Sequence, residues 1–71
     1  MKKIETYMLD EVNDTPKIKD IEECIKIAKE HDCVIELRWF MKWSGKFVRY
    51  IHATDDAQDV YDNRIPHVYG M

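Results

Sequence analysis

Cys33-Val34-Ile35-Glu36-Leu37-Arg38-Trp39-Phe40-Met41-Lys42-Trp43-Ser44-Gly45-Lys46-Phe47-Val48-Arg49-Tyr50-Ile51-His52-Ala53 is the stretch that decides the fold. Its first half has a period of two: Cys33, Ile35, Leu37, Trp39 and Met41 alternate with Val34, Glu36, Arg38, Phe40 and Lys42. A β-strand sends successive side chains to opposite faces, so this pattern reads as a half-buried strand. Ser44-Gly45 is a turn signal, and Phe47 to Ala53 supplies a return strand. The two halves make a β-hairpin.

Register decides which side chains share a face. An even loop pairs Trp39 with Tyr50 and Met41 with Val48. One face then holds Ile35, Leu37, Trp39, Met41, Val48 and Tyr50; the other holds Arg38, Phe40, Lys42, Phe47, Arg49 and Ile51. A three-residue loop swaps Phe47, Arg49 and Ile51 to the first face. The even register is expected, because it keeps Arg49 out of the core, where an unpaired charge is costly.

On the N-terminal side of the hairpin the period is that of a helix. Ile18, Ile21, Cys24, Ile25 and Ala28 recur at three- and four-residue spacing and form one apolar stripe. Asp14-Thr15-Pro16 is a start signal, with Thr15 as cap and Pro16 in the first helical position. The end falls near His31-Asp32. Before it, Ile4, Thr6 and Met8 alternate with Lys3, Glu5 and Tyr7, as in a half-buried strand, and Asp10 to Thr15 is turn-like. Beyond the hairpin, Thr54 is expected to cap a short helix from Asp55 to about Asp62 that buries Val60 and Tyr61. A tail from Ile65 to Met71 is irregular by its Pro66 and Gly70, yet Ile65, Val68 and Tyr69 are apolar enough to dock. The expected fold is a single α+β domain over residues 1–71, in the order β-α-β-β-α. Its three-stranded sheet is mainly antiparallel, with the helices on one face. A crossover joining parallel strands is right-handed.

At 71 residues the chain forms a marginal core. Such a domain gains from a metal, a disulfide or a partner subunit. Its formal net charge is −3, with 11 basic and 14 acidic side chains, which argues against a dedicated nucleic-acid binder. The distribution says more. Arg38, Lys42, Lys46 and Arg49 face only Glu36 in residues 33–53, whereas Asp55, Asp56, Asp59 and Asp62 face only Arg64 in the segment that follows. A basic middle lies between acidic ends. Glu5 and Asp10 interrupt any leader-like apolar region, and no apolar run approaches the roughly 20 residues of a membrane helix, so a cytoplasmic protein with no membrane partner is expected. Cys24 and Cys33 fit that compartment as reduced, buried thiols.

Catalytic constellations are missing from the sequence. Ser44, the only serine, lies in the turn, and Cys33 with His31 has no required geometry. Gly45 and Gly70 make no phosphate loop. Cys24, His31, Cys33 and His52 or His67 match no recognised zinc spacing, so neither metal nor cofactor is expected. The protein is read as non-enzymatic.

Two surfaces remain for binding. The hairpin offers Arg38, Trp39, Phe40, Lys42, Trp43, Phe47 and Arg49, aromatics set among cations. Exposed, they would meet a protein, or stack bases while the cations meet phosphates; covered, they are ordinary packing. Trp43 at the tip is an anchor or folds back across the hairpin. The acidic helix offers Asp55, Asp56, Asp59 and Asp62, a docking patch or phosphate mimic, against the plainer reading of a solvated, capped helix start.

The expected function is a protein-binding or inhibitory module that occupies a partner's surface, after the manner of small phage inhibitors of host or defence proteins. The alternative is a small RNA- or single-stranded-DNA-binding module using the hairpin face. A homodimer is expected as well, since an open hairpin edge and a marginal core both invite pairing.

Overall fold

A computed structural model describes residues 2–63. The elements are β1 (Lys3–Met8), α1 (Ile18–His31), β2 (Cys33–Met41), β3 (Gly45–Ile51) and α2 (Ala57–Asp62). The α+β class and the β-α-β-β-α order are those expected. The sheet runs β1-β2-β3 and is mixed: β1 is parallel to β2, and β3 is antiparallel to it. The tail from Ile65 to Met71, with His67, lies outside the described residues.

The stripe of α1 does what its spacing dictates. Ile21, Cys24, Ile25 and Ala28 are buried against Cys33, Ile35, Leu37 and Trp39 of β2 and Ile51 of β3, and Val60 of α2 completes the core. Tyr61 is half-buried against it. Tyr7 enters from β1 and its hydroxyl donates to Asp20 Oδ1 at 3.4 Å.

Both helix starts fall later than expected. The cap of α1 is Lys17 rather than Thr15, and its amide donates to Asp20 Oδ2 at 2.9 Å. A carboxylate three residues into the helix satisfies that amide, and Pro16 is buried ahead of the helix instead of opening it. Asp32 ends α1 in the left-handed region, φ 48°. The cap of α2 is Asp56 rather than Thr54, its carboxylate accepting from the Asp59 amide at 3.1 Å. Asp55 stays outside the helix, where its carboxylate accepts from the His52 amide at 2.8 Å.

The hairpin register is the main correction. Met41 pairs with Gly45, Trp39 with Phe47, Leu37 with Arg49 and Ile35 with Ile51, so the loop has three residues, Lys42, Trp43 and Ser44. The Ser44 amide donates to the Met41 carbonyl at 3.2 Å, and Gly45 follows at φ 91°. A tight turn followed by a left-handed residue is a favoured three-residue loop, and Gly adopts that φ without strain. Phe47, Arg49 and Ile51 therefore face inward, while Val48 and Tyr50 face outward. The objection to burying Arg49 is met at the rim, where the half-buried guanidinium donates from Nη1 to the Asn63 carbonyl at 2.9 Å. In β1 the alternating set Ile4, Thr6 and Met8 also faces outward, with Ile4 and Met8 each 57% exposed.

Register can be read by substitution. Phe47→Asp should cost about 2–4 kcal/mol in urea unfolding, because it removes packing on Trp39 and places a charge beside the core. Val48→Asp should change stability by less than about 1 kcal/mol. The opposite order restores the even loop.

Candidate functional site

All packed elements lie on one side of the sheet, and the other side is open among the described residues. Strand pairing assembles that outer face in rows. Ile4 stands beside Val34; Thr6, Glu36 and Tyr50 form the next row; Met8, Arg38 and Val48 the third; Phe40 and Lys46 the last before the turn.

A carboxylate organises the middle. Thr6 Oγ1 donates to Glu36 Oε1 at 3.2 Å, Tyr50 donates from its hydroxyl to Oε2 at 3.1 Å, and Arg38 Nε lies 2.9 Å from Oε1. One acidic side chain thus ties all three strands across the face. The Arg38 bond holds the Glu36 carboxyl below the usual range; desolvation opposes it as the next largest effect, and the Tyr50 and Thr6 bonds add to the lowering.

Around this polar centre the face is apolar. Met8, Val48 and Tyr50 are about half exposed and Phe40 is 40% exposed. Toward the turn, Met8, Arg38, Phe40, Lys46 and Val48 enclose a shallow hollow of about 350 Å³. Leu9, Trp39 and Phe47 also line it; they alternate with the outward residues and so supply its floor. Trp43 stands at the tip, 90% exposed, with Lys42 Nζ 5.6 Å from its ring centroid. That is cation–π distance. It does not fold back across the hairpin.

The segment after β1 braces the tip. The Leu9 amide donates to the Arg38 carbonyl at 2.9 Å and the Asn13 amide to the Phe40 carbonyl at 2.7 Å. Asn13 Oδ1 then accepts from the Lys42 amide at 2.7 Å. Asn13 holds φ 67°, which asparagine tolerates better than most residues. Residues 10–12 form a small arch between these two anchor points.

Of the hairpin residues expected at a contact surface, Arg38, Phe40, Lys42 and Trp43 come together on the outer face and tip. Trp39, Phe47 and Arg49 do not. Trp39 is 3% exposed and packs on Phe47 with ring centroids 5.4 Å apart; Trp39 lies on the inner face in either register, and the three-residue loop brings Phe47 there beside it. Met8, Lys46, Val48 and Tyr50 take their places. The signal that could have found Lys46, Val48 and Tyr50 was Gly45, read as the left-handed residue after a three-residue loop rather than as part of a two-residue one.

No family model matches this chain, and no curated protein or solved structure matches it.

The other candidates have local work. Asp55 and Asp56 spend carboxylate oxygens on backbone amides, and Asp62 accepts from Gln58 Nε2 at 2.9 Å. Among the described residues no three His, Cys, Asp or Glu side chains gather as a metal ion requires. Cys24 and Cys33 are buried free thiols, and burial pushes Cys24 up to about 12, which leaves it protonated and a poor nucleophile. No helix among the described residues is long and apolar enough to cross a membrane.

Two outcomes follow from this geometry. Glu36 has a folded pKa below its unfolded value, so its contribution is present above the unfolded value and is lost as pH falls through the folded one. Acid unfolding followed by circular dichroism should steepen below about pH 4.5, and Glu36→Gln should remove that component. Asn13→Ala should lower stability by about 1–2 kcal/mol and speed hydrogen exchange at the Lys42 amide, leaving the Leu37 amide unaffected at matched stability.

Proposed function

We propose that this chain is a non-enzymatic protein-binding module whose working surface is the outer sheet face with the hairpin tip. One observation carries the reading: Ile4, Met8, Phe40, Val48 and Tyr50 stand exposed together on a face that no described element covers. An antiparallel sheet with one wet side normally alternates apolar-in and polar-out. Scattered apolar side chains on a surface need no explanation, but a contiguous set marks a contact site. Trp43 adds an exposed aromatic of the type that anchors interfaces. Such a module acts by occupying a partner's surface, as an inhibitor or an adaptor does.

Phe40, Trp43, Lys42 and Lys46 also suit a single-stranded nucleic acid, whose bases stack while cations meet phosphate. Two features weigh against it. The Glu36 carboxylate sits in the middle of the face and already engages Arg38. Three of the five exposed apolar side chains on the face, Ile4, Met8 and Val48, offer no ring for stacking.

The test is retention from a lysate of the source cells, with and without nuclease, by the wild type and by Val48→Asp. Specific proteins should be retained after nuclease treatment and lost from the variant, whose thermal unfolding stays within a few degrees of wild type. Retention abolished by nuclease supports the nucleic-acid reading instead. Equal retention by the variant removes the outer face as the working surface.

A further inference from the structure

We infer that the partner which fits the turn end of the outer face is a second copy of this chain, each copy seating the Asp10-Glu11-Val12 arch on the hollow of the other. The inference rests on the protein-binding reading above and gives that surface an occupant.

The hollow has a definite chemistry. Its walls are apolar at Met8, Phe40 and Val48 and cationic at Arg38 and Lys46, with Lys42 beyond it at the tip. Arg38 is engaged by Glu36, but among the described residues neither Lys42 nor Lys46 forms an ion pair. A segment that fills this site must bring an apolar side chain flanked by carboxylates. At about 350 Å³ the hollow takes one or two side chains, not a domain.

The chain itself carries such a segment on the rim. Residues 10–12 arch between Leu9, bonded to the Arg38 carbonyl, and Asn13, bonded to the Phe40 carbonyl. Asp10 and Glu11 are exposed, and Val12 is 53% exposed, so an aliphatic side chain stands in water just after two carboxylates. None of the three lines the hollow of its own chain. The brace through Asn13 holds the arch in place, which lowers the ordering cost of using it as a contact.

Arch and hollow thus adjoin through Leu9, which lines the hollow and anchors the arch, and they carry complementary charge. That is the requirement of an isologous two-fold contact, in which the arch meets the hollow twice and the assembly closes at two copies. Stacking two basic hairpins face to face without the arch would set their lysines against each other. The lysines of each copy face the acidic arch of the other, not each other.

A charge-swap experiment decides it. Sedimentation equilibrium of the wild type over a range of concentrations at low salt should show a reversible dimer that weakens as salt rises. Lys46→Glu alone and Glu11→Lys alone should each weaken the dimer about tenfold or more, since each creates two like-charge contacts. An equimolar mixture of the two variants should restore it, because both contacts of the mixed dimer are again of opposite charge. Val48→Asp, which leaves the arch intact, should also abolish the dimer. A wild type that stays monomeric at several hundred micromolar overturns the inference, and so does a dimer indifferent to both charge variants or a mixture no tighter than the variants alone. Those results leave the protein-binding reading standing if the outer face still retains a different protein; loss of both overturns the two together.

Discussion

Gly45 turns the chain at φ 91° after a three-residue loop, and the placement of every β3 side chain depends on that one backbone conformation. Because side chains alternate along a strand, moving the pairing by one residue exchanges the two faces completely. With Met41 opposite Gly45, Phe47 and Ile51 join Trp39 and Ile35 beneath the sheet, and Ile51 closes the core with no exposed surface. Val48 and Tyr50 are turned outward to stand beside Arg38 and Glu36. The core and the exposed face are consequences of the same turn.

Burial and hydrogen bonding divide the work between the two sides. The inner side is held by non-directional apolar contact between α1, β2 and β3, and Tyr7 and Arg49 bring polar tips to its edges. Among the described residues the outer side has no second layer, and its side chains are held laterally. Glu36 gathers Thr6 from β1, Tyr50 from β3 and Arg38 from its own strand. Charge-assisted hydrogen bonds of this kind fix geometry more firmly than neutral ones. The apolar side chains between them are consequently presented on a stiff platform, which lowers the entropy lost when a partner arrives.

The segment between β1 and α1 belongs to the same mechanism. Its hydrogen bonds to β2 extend the pairing of β1 past Met8 and reach the base of the turn through Asn13. A three-stranded sheet thereby supports a hairpin tip that two strands alone would leave to fray. The exposed Trp43, with Lys42 against its ring, stands on this support.

Local pattern was enough for much of this. The helical stripe from Ile18 to Ala28, the alternation from Cys33 to Met41 and the α+β order follow from period and turn chemistry, since these depend only on neighbours in the chain. The buried set on α1 and β2 follows from the same periods. Cap positions shifted by about two residues, because a carboxylate within the helix or ahead of it competes with a hydroxyl for the same amides, and sequence does not rank them. The contact face was harder. The cost of burying Arg49 points Phe47 outward and Val48 and Tyr50 inward, but the guanidinium lowers that cost by reaching the Asn63 carbonyl at the end of α2. Period two specifies that side chains alternate, but not which set faces the helix. That choice was made by the turn and by the partner available to one charged side chain, and only the folded chain brings those two together.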